Sequence, residues 1–264
     1  MRLEDVFDYF KLKQICNNPY EVLRFRKVKD KNRQLKVKFK DGHRIFIHGG
    51  TDEYHTFHRI FLRDEYRINQ CGGKKMECVI DLGANVGYFS IRMAAFAKKV
   101  ICCEPIKSNV EKIEMNRDGR KNIHVSNKAV AGKKGFINMF KPAVDRCSCR
   151  YSMIFNDNSK SESEFESVEC ITLDELFEEQ KIEKCELIKM DIEGAEYETL
   201  YNAGDDTFKK IDRIVGEYHY FDKGSKESNI QSLKKYLIRR GHRVEAVPHK
   251  RKDNFGLFFC EKNG

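Results

Sequence analysis

From Lys75 onward the chain alternates short apolar runs with amphipathic stretches. The apolar runs at 77–81, 99–104, 123–126, 187–191 and 211–217 predict strands. Apolar residues at helical spacing over 86–96, 106–117, 194–203 and 226–240 predict helices after the first, second, fourth and fifth of them. Such alternation implies an α/β domain with a mostly parallel, doubly wound sheet. The tail, HRVEAV and then FGLFFCEK, reads as two closing strands, the last apolar and central. That pair suggests a hairpin, so at least one C-terminal strand is antiparallel.

The first seventy residues have a different pattern. QLKVKFK and HRIFIH alternate with period two on either side of Asp41-Gly42, which predicts a hairpin. Tyr54, Phe57, Ile60 and Phe61 then recur at helical spacing within 51–66. Residues 1–74 are therefore expected to form an extension (helix, basic hairpin, helix) packed on a main domain of residues 75–264. Between Gly135 and Ile171 the pattern is polar and β-like, and DNSKSESEFES is expected to be a mobile surface loop. Thr172 and Glu175 have capping-box spacing at the start of a short helix.

Composition narrows the setting. With 264 residues, 40% of them hydrophobic and 34% charged, the chain can bury a sizeable core. No apolar run is long enough to span a bilayer. The opening MRLEDVFDYFKLKQ holds acids where a secretory leader would be apolar, so a cytoplasmic location is expected. Of the ten cysteines, Cys78, Cys102, Cys103, Cys170 and Cys260 sit in or beside apolar runs and read as buried thiols. Cys147 and Cys149 form C-x-C, but there is no C-x-x-C pair, and no metal site is expected from the cysteines. The net charge of +9 is uneven: residues 21–45 carry ten Lys/Arg against three acids, and residues 161–200 carry fourteen acids against three Lys. A second basic cluster, Arg239 to Lys252, closes the chain. Those clusters read as a solvated surface or as attraction to an anionic partner such as a nucleic acid.

The first strand of the domain ends at Asp81 and turns through Gly83-Ala84-Asn85-Val86-Gly87. A dinucleotide fingerprint would place glycines where Asn85 and Tyr88 stand, and a Walker loop is also absent from this turn. A ligand of smaller, mixed charge fits better. S-adenosylmethionine has an ammonium, a carboxylate and a sulfonium; Asp81 can face its positive part and the helix start its carboxylate. The second strand ends at Glu104, seventeen residues after Gly87, where an acid can accept both ribose hydroxyls. Ser126 and Asn127 end the third strand and can reach an adenine edge, or they are turn residues only. The fourth strand delivers Asp191, with Glu193 and Glu196 near the next helix start. The macrodipole suffices to explain Glu196. The fifth delivers Glu217 and His219 to the same edge, where a histidine can serve as acid or base.

VIDLGANVGYFSI, CCEP, SVECITLDEL, LIKMDIEGAEYETL and VGEYH, in that order, resemble the FkbM family of S-adenosylmethionine-dependent methyltransferases over about residues 75–220. The resemblance implies a Rossmann-like class I methyltransferase fold and O-methylation of a sugar, glycolipid or other small-molecule hydroxyl. It also implies that Asp81, Gly83, Asn85 and Gly87, with Ala84 between them, and Glu104 bind the cofactor. Asp191 would border the methyl donor, and Glu217 and His219 the acceptor. His219 is the expected general base, oriented by Asp191 or Glu217. Alternatively, Asp191, Glu193 and Glu217 hold a divalent cation. Two other readings stay open: ribose 2′-O-methylation of RNA through the basic surface, and a module that binds without turnover. DIEG after the fourth strand, in place of an Asn/Asp-Pro-Pro-Tyr/Phe segment, disfavours methylation of a base.

Overall fold

The structure, a computed structural model, describes residues 3–71, 75–140, 165–219, 229–249 and 255–263. The Cys147/Cys149 pair, most of the expected DNSKSESEFES loop and the basic residues 250–252 lie outside them.

Seven strands form the central sheet: β3 (Met76–Leu82), β4 (Ala97–Cys103), β5 (Ile123–Ser126), β9 (Leu187–Met190), β10 (Arg213–His219), β11 (His242–Pro248) and β12 (Phe255–Lys262). Their spatial order is β11-β12-β10-β9-β3-β4-β5. Five neighbours, β5 to β10, run parallel, while β12 is antiparallel to both β10 and β11. The expected antiparallel C-terminal strand thus sits inside the sheet. The order reverses between β3 and β9, the edge at which open α/β sheets bind ligands.

The strands read as apolar because both faces are covered. Cys78, Ile80 and Leu82 of β3 pack beneath α6 (Leu173–Glu179), α7 (Glu196–Asn202), α8 (Asp205–Lys209) and α9 (Ile230–Arg239). Alternate residues Val79, Val100, Leu187 and Val215 face α4 (Tyr88–Met93), α5 (Lys107–Asn116) and the N-terminal segment. Capping of α6 is as the sequence indicates: the Thr172 hydroxyl accepts from Glu175 N, and Glu175 accepts from Thr172 N.

In the N-terminal segment two helices, α1 (Leu3–Ile15) and α2 (Pro19–Phe25), precede the hairpin where one is expected; Asn18-Pro19 breaks the run. The hairpin forms as β1 (Gln34–Lys38) and β2 (Arg44–His48), with Val37 opposite Ile45. Phe46 ties it to the domain by donating to Asn116 Oδ1 at 2.8 Å and accepting from the Tyr88 hydroxyl at 2.6 Å. Instead of one helix over 51–66, α3 (Glu53–Phe57) widens into a π turn, His58–Leu62. The remaining strands, β6 (Ala129–Val130), β7 (Gly135–Phe140) and β8 (Phe165–Ile171), form a small sheet beside the edge. Residues 165–167 of the expected loop are therefore strand, paired with β7. Among the described residues no helix is long and apolar enough to cross a membrane.

Candidate active site

The turn after β3 is held by its neighbours. Gly83 N and Ala84 N both donate to Cys103 O at 3.0 Å. Gly83 has φ +72°, and a Cβ there would lie 1.9 Å from the Asp191 carbonyl oxygen, so the strand end of β9 can approach only a glycine. Gly87, at φ +83°, turns the chain into α4. Asn85 is left-handed as well, at φ +54°, and its Oδ1 is buried without a hydrogen-bond partner.

A cavity of about 1140 Å³ opens along this edge. It exceeds the roughly 300–1,000 Å³ usual for a small-molecule site, so a nucleoside donor and an acceptor fit together. At one end, Glu104 accepts from Asn85 N (2.8 Å), Ile106 N (3.0 Å) and Asn109 Nδ2 (3.2 Å). Burial outweighs those bonds and raises its carboxyl to about 7. Ile106, Ala129, Val130 and Met139 give this end an apolar wall.

Asp81 departs from expectation. It does not line the cavity; its carboxylate is fully enclosed below the turn. Oδ2 accepts from Ser90 N and Oγ (3.2 and 2.8 Å), and Oδ1 lies 3.1 Å from Lys189 Nζ. The period-two side-chain direction explains this: Asp81 and Lys189 are register partners on the face that turns toward α4. Lys189 also donates to Gly83 O at 2.7 Å, so this pair braces the turn from beneath. Burial lowers the Lys189 pKa, but Asp81 and Asp191 outweigh it and raise it. Gly87, Ser126 and Asn127 likewise stay off the cavity wall. Asn127 Nδ2 donates to the carbonyls of Glu104 and Pro105, and Lys128 to Val130 occupy the wall instead, because the chain bends from β5 into β6.

At the other end the strand termini bring Asp191, Glu217 and His219 together, with one donor atom of each within 4.8 Å of the others. His219 Nδ1 lies 3.1 Å from Oε1 of Glu196. Glu196 is fully buried and also accepts from Ile192 N (3.2 Å) and Gly194 N (3.0 Å). It is thus the partner of His219 rather than only an acid at a helix start. Burial would lower the histidine pKa, but Glu196, Asp191 and Glu193 outweigh it and hold the imidazole at about 9. A pKa raised in this way favours the imidazolium at neutral pH and disfavours the free base that the expected general-base role needs.

Three residues of this site had escaped sequence reading. Lys189 interrupts the apolar LIKM strand, and that interruption was its signal. Arg59, on the π turn, contacts both Glu65 and Glu217. The Tyr66 hydroxyl approaches Asp191 Oδ2 at 3.5 Å. The last two come from the N-terminal segment and carry no motif.

A seven-stranded sheet of this order, with a glycine turn after its first strand and an acid at the end of its second, defines a class I, Rossmann-like methyltransferase. Residues 81–244 match the family described as the methyltransferase FkbM domain, and the chain belongs to that family of S-adenosylmethionine-dependent methyltransferases. The crystal structure of methyltransferase FkbM from Methylobacillus flagellatus KT superposes with a TM-score of 0.50 at 12% identity, covering 97% of this chain and 59% of that one. The AMB antimetabolite synthetase AmbE of Pseudomonas aeruginosa is 22% identical across 80% of this chain. This chain spans only 12% of the length of AmbE.

Proposed function

We propose that the protein transfers a methyl group from S-adenosylmethionine to a hydroxyl of an uncharged, polyhydroxylated small molecule or glycan. The carrying observation is the charge of the cavity wall: six carboxylates, at Asp52, Glu65, Glu104, Asp191, Glu193 and Glu217, against three Lys/Arg. Carboxylates accept hydrogen bonds from hydroxyls and repel phosphates. The basic hairpin strands β1 and β2 do not line this cavity, which favours a neutral acceptor over RNA.

The donor supplies an electrophilic sulfonium methyl. Glu104, with lone pairs left after three accepted bonds, suits the ribose hydroxyls. Unpartnered Asn85 Oδ1 suits the donor's ammonium, and Gly83, which lines the cavity beside it, lets the end of β9 close against the turn. The Ile106–Met139 wall suits the adenine. Asp191, Glu193 and Glu217 hold the acceptor and take its proton, while Arg59 and Tyr66 restrain them. Alignment of reacting atoms away from water supplies much of the acceleration in such displacements.

The test is incubation of the purified chain with methyl-labelled donor and separate pools of glycans, neutral polyols and RNA. Label in a glycan or polyol hydroxyl is expected. Label confined to RNA would overturn the reading.

A further inference from the structure

Around His219 the geometry has a feature that hydroxyl binding does not require. The imidazole is fixed through Nδ1 by the fully buried Glu196 carboxylate, itself held by two backbone N–H groups. Nε2 lies 3.7 Å from Glu217 Oε2 and 3.8 Å from Glu193 Oε2. Arg59 takes the other Glu217 oxygen, Oε1. Asp191 completes a group whose donor atoms lie within 4.8 Å of one another. Donors on one cation at about 2.0–2.5 Å lie at most about 4–5 Å apart, so the spacing suits a single ion. A carboxylate that pins the second ring nitrogen is the usual outer support of a histidine that ligates a metal. Charge agrees: Glu65, Asp191, Glu193, Glu196 and Glu217 outnumber Arg59, Lys189 and a protonated His219, leaving an excess of negative charge.

We propose that Asp191 and Glu217, through carboxylate oxygens, and His219, through Nε2, form a site for a first-row divalent cation that binds and activates the acceptor hydroxyl. One nitrogen and two carboxylates favour Mn²⁺, Fe²⁺ or Zn²⁺ over the all-oxygen preference of Ca²⁺. The cation replaces the proton on Nε2 and leaves coordination positions open to the acceptor. A coordinated hydroxyl is more acidic, as a metal-bound water is. Its proton passes to Glu193, which lines the same cavity end, and then to water. The oxygen lone pair forms the O–CH₃ bond; the S–CH₃ bond breaks, and its electron pair stays on sulfur as the thioether.

This activating role rests on the methyl-transfer reading, but the site itself can be measured without it. The full chain, stripped with a chelator and dialysed, is titrated with Mn²⁺ alone, and free Mn²⁺ is read by electron paramagnetic resonance. One saturable equivalent per chain is expected, weakened at least about tenfold in Glu217→Gln and in His219→Gln. Glu196→Gln, which leaves all three ligands in place, is expected to weaken it about tenfold as well. Absence of saturable binding to the wild-type chain, or equal affinity in folded variants, overturns the site. Binding of 5′-methylthioadenosine, measured separately, tests the donor end. Its failure would refute the methyl-transfer reading while leaving the Mn²⁺ result standing. Full turnover in excess chelator would end the activating role alone.

Discussion

Glu104 gives the sharpest quantitative expectation. Three N–H groups bond its carboxylate, yet burial holds its pKa at about 7. Ribose hydroxyls donate to the ionised form, so nucleoside affinity should follow the ionised fraction. With that pKa the fraction rises from about one-tenth to about nine-tenths between pH 6 and pH 8, which is roughly a tenfold gain in affinity, or ~1.3 kcal/mol. Calorimetry with 5′-methylthioadenosine reads this cleanly, because that ligand keeps the ribose but lacks the titrating amino-acid end. Affinity should rise with pH, and Glu104→Gln should give a flat, weaker profile. For the ligand-free protein the sign is opposite. A carboxyl raised above its unfolded value stabilises the fold at low pH, and that contribution is lost as pH rises from about 4.5 through about 7. Wild-type affinity that is flat or falls across this window would refute Glu104 as the ribose partner.

Other substitutions test the frame around it. Gly83→Ala drives a methyl into the Asp191 carbonyl and should cost more than about 3 kcal/mol, seen as a lower urea midpoint and lost nucleoside binding. Lys189→Met strands the buried Asp81 carboxylate and should cost about 3–5 kcal/mol in the same denaturation assay; a loss under about 1 kcal/mol would show that the pair does not brace the turn. Thr172→Ala removes one half of the α6 capping box and should cost about 1 kcal/mol, a drop of roughly 2–4 °C in Tm, without altering donor binding.

Strand ends explain what could be read from the sequence. Asp191, Glu217 and His219 lie on the carboxyl ends of neighbouring parallel strands, so a correct strand assignment alone brings them to one edge. Glu104 follows by the same logic from β4 beside β3. Asp81 lies off the cavity wall by one residue of parity: it points to the α4 face, toward Lys189 and Ser90, not outward along the edge. Ser126 and Asn127 stay off the cavity wall because the bend into β6, not the end of β5, meets the cavity. The helix dipole gives Glu196 a local explanation, while its partner His219 stands twenty-three residues away at the end of β10. Arg59 and Tyr66 reach the site by long-range packing of the N-terminal segment, which has no periodicity that marks a site.

The most direct measurement is a crystal structure of the chain with S-adenosylhomocysteine. The account predicts both ribose hydroxyls on Glu104, the amino-acid end against Gly83 and Asn85, and the sulfur turned toward Asp191 and His219. A nucleoside seated elsewhere, or held without Glu104, would contradict it.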